Sequence, residues 1–81
     1  MTPANTDEET VASIRAGAPL DYSYDAYGAG RVNFVVSWDT SSATFTEQRT
    51  DRDMGGNVDV ARRTITLEAA ARHVRASRAD G

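Results

Sequence analysis

Residues 31–38 decide the fold, and they read Arg-Val-Asn-Phe-Val-Val-Ser-Trp. Val32, Phe34, Val36 and Trp38 recur at every second position, a period that is typical of a β-strand with one buried face. Three further runs of strand-like residues lie on either side of it, at residues 20–27, 43–50 and 58–65. The connections between these runs are short, whereas a parallel crossover needs a dozen or more residues. The sequence therefore predicts an antiparallel sheet.

One helix is predicted before the strands in the sequence and another after them. Thr6 and Glu9 are spaced as a capping box, which predicts a helix over residues 7–16 that ends at Gly17. Thr66 precedes a second helix, whose apolar stripe consists of Leu67, Ala70, Ala71 and Val74. The strand residues expected to face the helices are Tyr22, Tyr24, Val32, Phe34, Val36, Trp38 and Phe45. The predicted fold class is α+β, a two-layer domain in which an antiparallel sheet of three to four strands is flanked by an N-terminal and a C-terminal helix.

The chain is short and has few large apolar side chains. Val, Ile, Leu and Phe together make up 13 of its 81 residues, and a chain of this length buries only about 60% of its unfolded surface. We expect a single small domain over residues 1–81, frayed at 1–5 and 79–81. The second half of the 43–50 run is polar on both faces, so we expect it at a sheet edge or in solvent.

The chain has no cysteine, which excludes disulfides, Cys-ligated zinc and thiol catalysis. Because small secreted domains usually depend on disulfides, a cytoplasmic protein is predicted. The N-terminus is acidic and no apolar run approaches 18 residues, so neither a secretory signal nor a membrane-spanning helix is expected.

Charge is unevenly distributed along the chain. The net charge is −4 over residues 1–30, −2 over 31–60 and +3 over 61–81, and all nine cationic side chains are arginines. The acidic part predicts a surface that binds a basic partner, through Asp21, Asp25, Tyr27, Asp39, Glu47, Asp51, Asp53 and Asp59. The alternative is an ordinary strand over residues 20–27 with its tyrosines in the core.

The basic C-terminal helix is the alternative binding surface. Arg72, Arg75 and Arg78, supported by Arg62 and Arg63, could bind phosphates or an acidic partner. The plain alternative is a solvated helix face, on which Glu68 pairs with Arg72 four residues later.

Two features resemble known sites but favour structural explanations. The stretch from Asp51 to Asp59 resembles the start of an EF-hand calcium loop, yet Gly55 and Arg62 stand where oxygen ligands belong, so a hairpin loop is predicted. His73 is the only histidine and has arginine neighbours, so a solvated helix residue is expected. No cofactor, metal site or catalytic residue is predicted, and we expect a protein that is not an enzyme.

In size, acidity and α+β pattern the chain resembles the small phage-encoded inhibitors, in particular the anti-CRISPR proteins. The resemblance covers the whole chain as a type and includes no shared motif, so it assigns no residue a role. It implies a protein that binds a larger protein or ribonucleoprotein complex and blocks its target DNA. The predicted function is a non-enzymatic inhibitor, monomeric or homodimeric, that occludes a basic or nucleic-acid-binding surface. The alternative is a small nucleic-acid-binding regulator that uses the C-terminal arginine helix.

Overall fold

A computed structural model describes residues 7–26 and 30–79. A helix is followed by four strands and then by a second helix, which confirms the predicted α+β class. The bounds of the elements are α1 Asp7–Arg15, β1 Leu20–Ala26, β2 Gly30–Asp39, β3 Thr44–Arg52, β4 Val58–Ile65 and α2 Leu67–Ala79. No helix in these two ranges is long and apolar enough to cross a membrane.

The four strands form one antiparallel sheet in chain order, β1-β2-β3-β4. Strand β3 is therefore an interior strand, hydrogen-bonded to β2 on one side and to β4 on the other. Of the two positions predicted for its polar half, a sheet edge or solvent, the edge is therefore wrong. An interior strand tolerates Glu47 and Arg49 because Arg63 on β4 and His73 on α2 pair with Glu47, and Asp51 on β3 itself pairs with Arg49.

The helix ends follow the local signals that the sequence contains. Gly17 has a positive φ of 107°, and the Ala18 amide donates to the Ser13 carbonyl, so the chain leaves α1 through a glycine C-cap. Thr66 caps α2, since its hydroxyl oxygen accepts from the Ala69 amide at 3.2 Å. The cap predicted at Thr6 lies outside the described residues. Of residues 79–81, which are predicted to fray, Ala79 is the last residue of α2, and the other two lie outside the described residues.

Both helices lie on the same face of the sheet, which we call the inner face. The core between them and the sheet is built from Val11, Ile14, Val36, Phe45, Ile65, Ala70 and Val74, with Leu20 and Trp38 packed against it. These strand residues lie at one end of the inner face, where Trp38 is opposite Phe45 and Phe45 is opposite Ile65. The helices therefore leave part of the inner face toward the other end of the strands open to solvent.

The outer face of the sheet is covered by no helix of the described chain. By strand alternation from the buried Val36, it includes Asp21, Val35, Val58, Val60 and Arg62. Val58 and Val60 are exposed, although valine is usually a core residue.

Candidate functional site

A groove of about 710 Å³ lies beside α2, at the border of the part of the inner face that the helices leave open. Its floor is made by side chains of all four strands, among them Tyr24, Phe34, Arg49 and Ala61, and its wall by Arg72 and His73 of α2. We call this the aromatic groove. Its volume is in the range of small-molecule sites.

Stacked aromatic rings form the floor. Tyr22 lies opposite Phe34 in the strand register, and their ring centroids are 5.6 Å apart with planes inclined by 29°. Tyr24 stacks on the same Phe34 ring at 6.2 Å and 27°. The three rings come together because residues 22 and 24 alternate onto the inner face beside Phe34. Tyr24 is 37% exposed, so the floor keeps an accessible flat apolar surface.

A chain of hydrogen bonds runs from this floor to the α2 wall. The Tyr22 hydroxyl lies 2.6 Å from Nδ1 of His73, and Nε2 of His73 lies 2.5 Å from Oε2 of Glu47. An ionised carboxylate only accepts, so the Nε2–H donates to Glu47. The other ring nitrogen, Nδ1, shares a hydrogen bond with the Tyr22 hydroxyl, and which of the two atoms donates depends on the tautomer of the ring. The network joins β1, α2 and β3.

Glu47 is the buried end of this network. Its side chain is 7% exposed, and Nε of Arg63, directly across in the β3–β4 register, donates to Oε1 at 2.8 Å. Burial raises the pKa of Glu47, but the hydrogen bonds and charges of Arg63 and His73 outweigh it, so that the pKa lies below the usual value. The prediction that Glu47 belongs to an exposed partner-binding surface is therefore wrong. Its charge is tolerated on an interior strand because three donors satisfy it.

His73 is also placed differently from the prediction. Its side chain is 13% exposed and packs with its ring 4.7 Å from that of Phe34. It is therefore not a solvated helix residue. The buried face of α2 includes Ala70, His73 and Val74, while Leu67, predicted on the apolar stripe, is 54% exposed. The helix is rotated so that His73 meets Glu47, which satisfies both polar groups.

Three arginines with unused donors line the aromatic groove. Arg49 pairs with Asp51 at 3.0 Å and lies 5.8 Å from the Phe34 ring, and Arg63 pairs with Glu47. Both pairs leave further N–H groups of the guanidinium available. Arg72 has no carboxylate partner among the residues that the structure describes, and the Glu68–Arg72 pair expected from the sequence is not seen in that part of the chain.

The other two arginines of the predicted basic helix do not reach this groove. Arg78 contacts Asp7 at 3.1 Å and donates to the Thr10 hydroxyl, and Arg75 lies 3.8 Å from Asp7. Both therefore pair with α1. The structure separates Arg72 from Arg75 and Arg78 because one face of α2 borders the groove while another borders α1.

The acidic residues of the predicted partner surface are divided over the molecule. Asp21 accepts from Asn33, Asp25 pairs with Arg31, and Asp39 accepts from Ser41. These three lie on the outer face by strand alternation, whereas Asp51 and Asp59 are opposite one another on the inner face. Asp53 lies in the β3–β4 connection, and Tyr27 lies outside the described residues. The seven residues of this set that the structure describes therefore form no single surface.

The loop that resembles a calcium site is a turn between β3 and β4. Asp53 accepts from the backbone amide of Asn57 at 2.9 Å and from its side-chain amide at 3.0 Å, which lowers the pKa of Asp53. The Asp51 carboxylate is occupied by Arg49. In the ranges that the structure describes, no group of three or more acidic or histidine side chains is placed to hold a metal ion. The flanking elements are strands, as predicted for a hairpin.

Sequence reasoning identified some parts of this site and missed others. It placed Tyr22, Tyr24 and Phe34 on one face, but assigned that face entirely to the core. It did not assign Arg49 a role or connect His73 with Glu47, which are 26 residues apart. The one available signal was the opposite charge of Glu47 and Arg63, because the length of the β3–β4 hairpin places these two residues across from one another. Comparison with protein-family models, with curated proteins and with solved structures finds no match to this chain.

Proposed function

We propose that the protein is a small binding module that takes a single-stranded nucleic-acid segment in the aromatic groove. The observation that carries this proposal is the exposed Tyr24–Phe34 stack beside Arg72, whose charge no carboxylate of the described chain neutralises. It corresponds to the alternative function predicted from the sequence, a small nucleic-acid-binding regulator. The proposed binding site, however, is the groove beside the C-terminal arginine helix and not the helix itself.

The floor supports base stacking. Every nucleic-acid base has a flat π face, and stacking on an aromatic side chain contributes about 1–3 kcal/mol per base without sequence preference. The Tyr24 ring is accessible, and Phe34 supports it from within the sheet. The bases of a duplex are stacked on one another and cannot reach such a floor, so a single strand is the favoured form.

The charges of the groove support phosphate binding. Three arginines border it on the inner face, Arg49, Arg63 and Arg72. Arg49 pairs with Asp51 and Arg63 with Glu47, whereas Arg72 has no carboxylate partner in the described residues. The net charge of the whole chain is −3, which opposes nucleic-acid binding at long range. Within the groove, however, the cations lie less than a Debye length of about 10 Å from a bound phosphate, so local attraction prevails there.

The proposal is tested by titrating the protein into fluorescently labelled single-stranded oligonucleotides, with a duplex of the same sequence as comparison. We expect binding to the single strands, weakening as salt increases, and a loss on Tyr24→Ala or Arg72→Ala. Arg75→Ala is the matched control, since it removes the same charge from the same helix but away from the groove. Equal losses for Arg72→Ala and Arg75→Ala, or no binding at low salt, would contradict the proposal.

A second candidate function is the occluding inhibitor that the sequence predicts. Its support is the position of Asp21, Asp25 and Asp39 on the uncovered outer face. In this case the partner is a basic surface of a larger complex, a CRISPR effector in the form that the resemblance implies. Capture of an arginine-rich nucleic-acid-binding protein that survives Arg72→Ala and is lost on Asp21→Arg would favour this function over the groove.

A further inference from the structure

Strand β4 is exposed to an unusual degree for an ordered strand. Every residue from Val58 to Thr64 is exposed, and Ile65 alone is buried. The strand pairs with β3 along one side, and along its other side the described chain places no strand. An edge strand of eight residues without proline presents a row of unpaired backbone groups, which is a template for adding another strand.

We propose that a second copy of this chain pairs with this edge, β4 against β4, in an antiparallel register centred on Ala61. A two-fold axis perpendicular to the sheet then places Ala61 opposite Ala61 of the second copy. The flanking pairs follow from the register: Val60 with Arg62, Asp59 with Arg63, and Val58 with Thr64. The two four-stranded sheets become one continuous sheet, with the helices of both copies on the same side.

The charge pattern of β4 is complementary to itself in this register. Asp59 has no cationic partner among the described residues, and each Asp59 lies opposite an Arg63 of the other copy. Arg63 uses Nε and Nη2 on Glu47 and keeps donors for a second carboxylate. Oppositely charged pairs directly across two strands stabilise a sheet.

The apolar side chains of β4 are also covered in this register. Val60, 57% exposed, lies opposite Arg62, whose aliphatic stem can lie along the valine while its guanidinium stays in water. On the inner face, Ala61 and Arg63 line the aromatic groove. The second copy's β4 therefore extends the groove floor, and the two grooves meet across the axis.

The chain has no cysteine, which allows a direct test of the register. Across an antiparallel pair the Cα atoms are about 4.5–5.5 Å apart, within the range that a disulfide spans. With Ala61→Cys, mild oxidation is expected to give a disulfide-linked dimer at least about tenfold faster than with Ser23→Cys, because held thiols react at millimolar effective concentrations. Ser23 is the matched control, an exposed residue on the opposite edge strand β1.

Oligomeric state provides the second measurement. Sedimentation of the unmodified chain is expected to show a dimer whose population rises with concentration, and Ala61→Lys is expected to return it to monomer by placing two like charges opposite one another. Ala61→Ser keeps the side chain small and is expected to remain dimeric. A monomer at every concentration, a dimer unaffected by Ala61→Lys, or equal cross-linking through Ser23→Cys would each overturn the proposal. These outcomes are independent of whether the groove binds nucleic acid.

Discussion

The His73 ring donates from Nε2 to the buried carboxylate of Glu47 at 2.5 Å, so that a helix residue and an interior-strand residue satisfy one another. Tyr22 on one side and Arg63 on the other extend this pair into a network across the inner face. The network borders the aromatic groove and separates it from the apolar core. Substitutions in the network are therefore expected to change mainly the stability of the fold, whereas substitutions of groove residues are expected to change mainly ligand binding.

Replacing Glu47 with glutamine is expected to destabilise the fold. The amide keeps the shape of the side chain but offers one acceptor oxygen where three donors converge, so we expect a loss of about 1–3 kcal/mol in the free energy of unfolding. Urea denaturation followed by circular dichroism measures it. The control is Glu68→Gln on the exposed surface of α2, whose free energy of unfolding is expected to lie within about 0.5 kcal/mol of that of the unmodified chain. Equal effects of the two substitutions would contradict the network.

The pH dependence of stability follows from the direction of the Glu47 pKa. This pKa is lower in the folded than in the unfolded protein, so the unfolded state binds the proton more readily. The contribution of Glu47 is therefore fully present above the unfolded value of about 4.3 and is lost as the pH falls through the lower folded value. Thermal unfolding between pH 7 and 3 is expected to show a steeper acid loss for the unmodified chain than for Glu47→Gln. Parallel curves would be the contrary result.

Tyr22 and Glu47 are expected to be coupled through His73. Tyr22→Phe removes one hydrogen bond and keeps the ring stack, so we expect a loss of about 0.5–1.5 kcal/mol. Combined with Glu47→Gln, the two losses are expected to be non-additive by at least about 0.5 kcal/mol, as is usual within one network. The control cycle pairs Tyr22→Phe with Glu68→Gln, for which the losses should add. Additivity in both cycles would show that the ring does not transmit the interaction.

Gly30 is expected to tolerate no side chain. Its φ is +107°, and a Cβ atom at this position would overlap the carbonyl oxygen of Arg52. Gly30→Ala is therefore expected to shift or break the β2–β3 pairing and to lower the melting temperature strongly. Gly17→Ala is the control, since Gly17 has the same φ but open space around it, so its cost is about 1–2 kcal/mol of backbone strain. A Gly30→Ala variant as stable as Gly17→Ala would contradict the close approach.

Salt dependence separates phosphate contacts from stacking in the groove. For single strands the logarithm of the binding constant falls with the logarithm of salt concentration by about 0.7 per neutralised phosphate. Arg72→Ala is expected to reduce this slope by about 0.7, because it removes one phosphate contact. Tyr24→Ala is expected to weaken binding at every salt concentration and leave the slope unchanged. A slope that changes with Tyr24→Ala but not with Arg72→Ala would reverse these roles.

Local patterns were sufficient to predict the elements. The alternation over Val32 to Trp38, the glycine after α1 and the Thr66 cap act over a few residues, and the structure confirms each of them. The hydrogen-bond network could not be predicted in the same way. His73 is 51 residues from Tyr22 and 26 residues from Glu47. Whether His73 faces the sheet or the solvent depends on the rotation of α2 about its axis, which the sequence of the helix does not determine.

The sequence by itself determined the element order, the antiparallel sheet and the face of the sheet that the helices cover, because strand alternation, short connections and capping residues act locally. Only the tertiary structure decided that the helices cover part of that face, that Glu47 is buried with His73 and Arg63, and that Arg72 faces a groove while Arg75 and Arg78 face α1. These outcomes depend on how a helix is rotated and positioned on a sheet. That placement is set by the packing of Ala70 and Val74 and by the hydrogen bonds that buried polar groups require. Both depend on contacts between segments that are distant in the sequence, so no single segment predicts them.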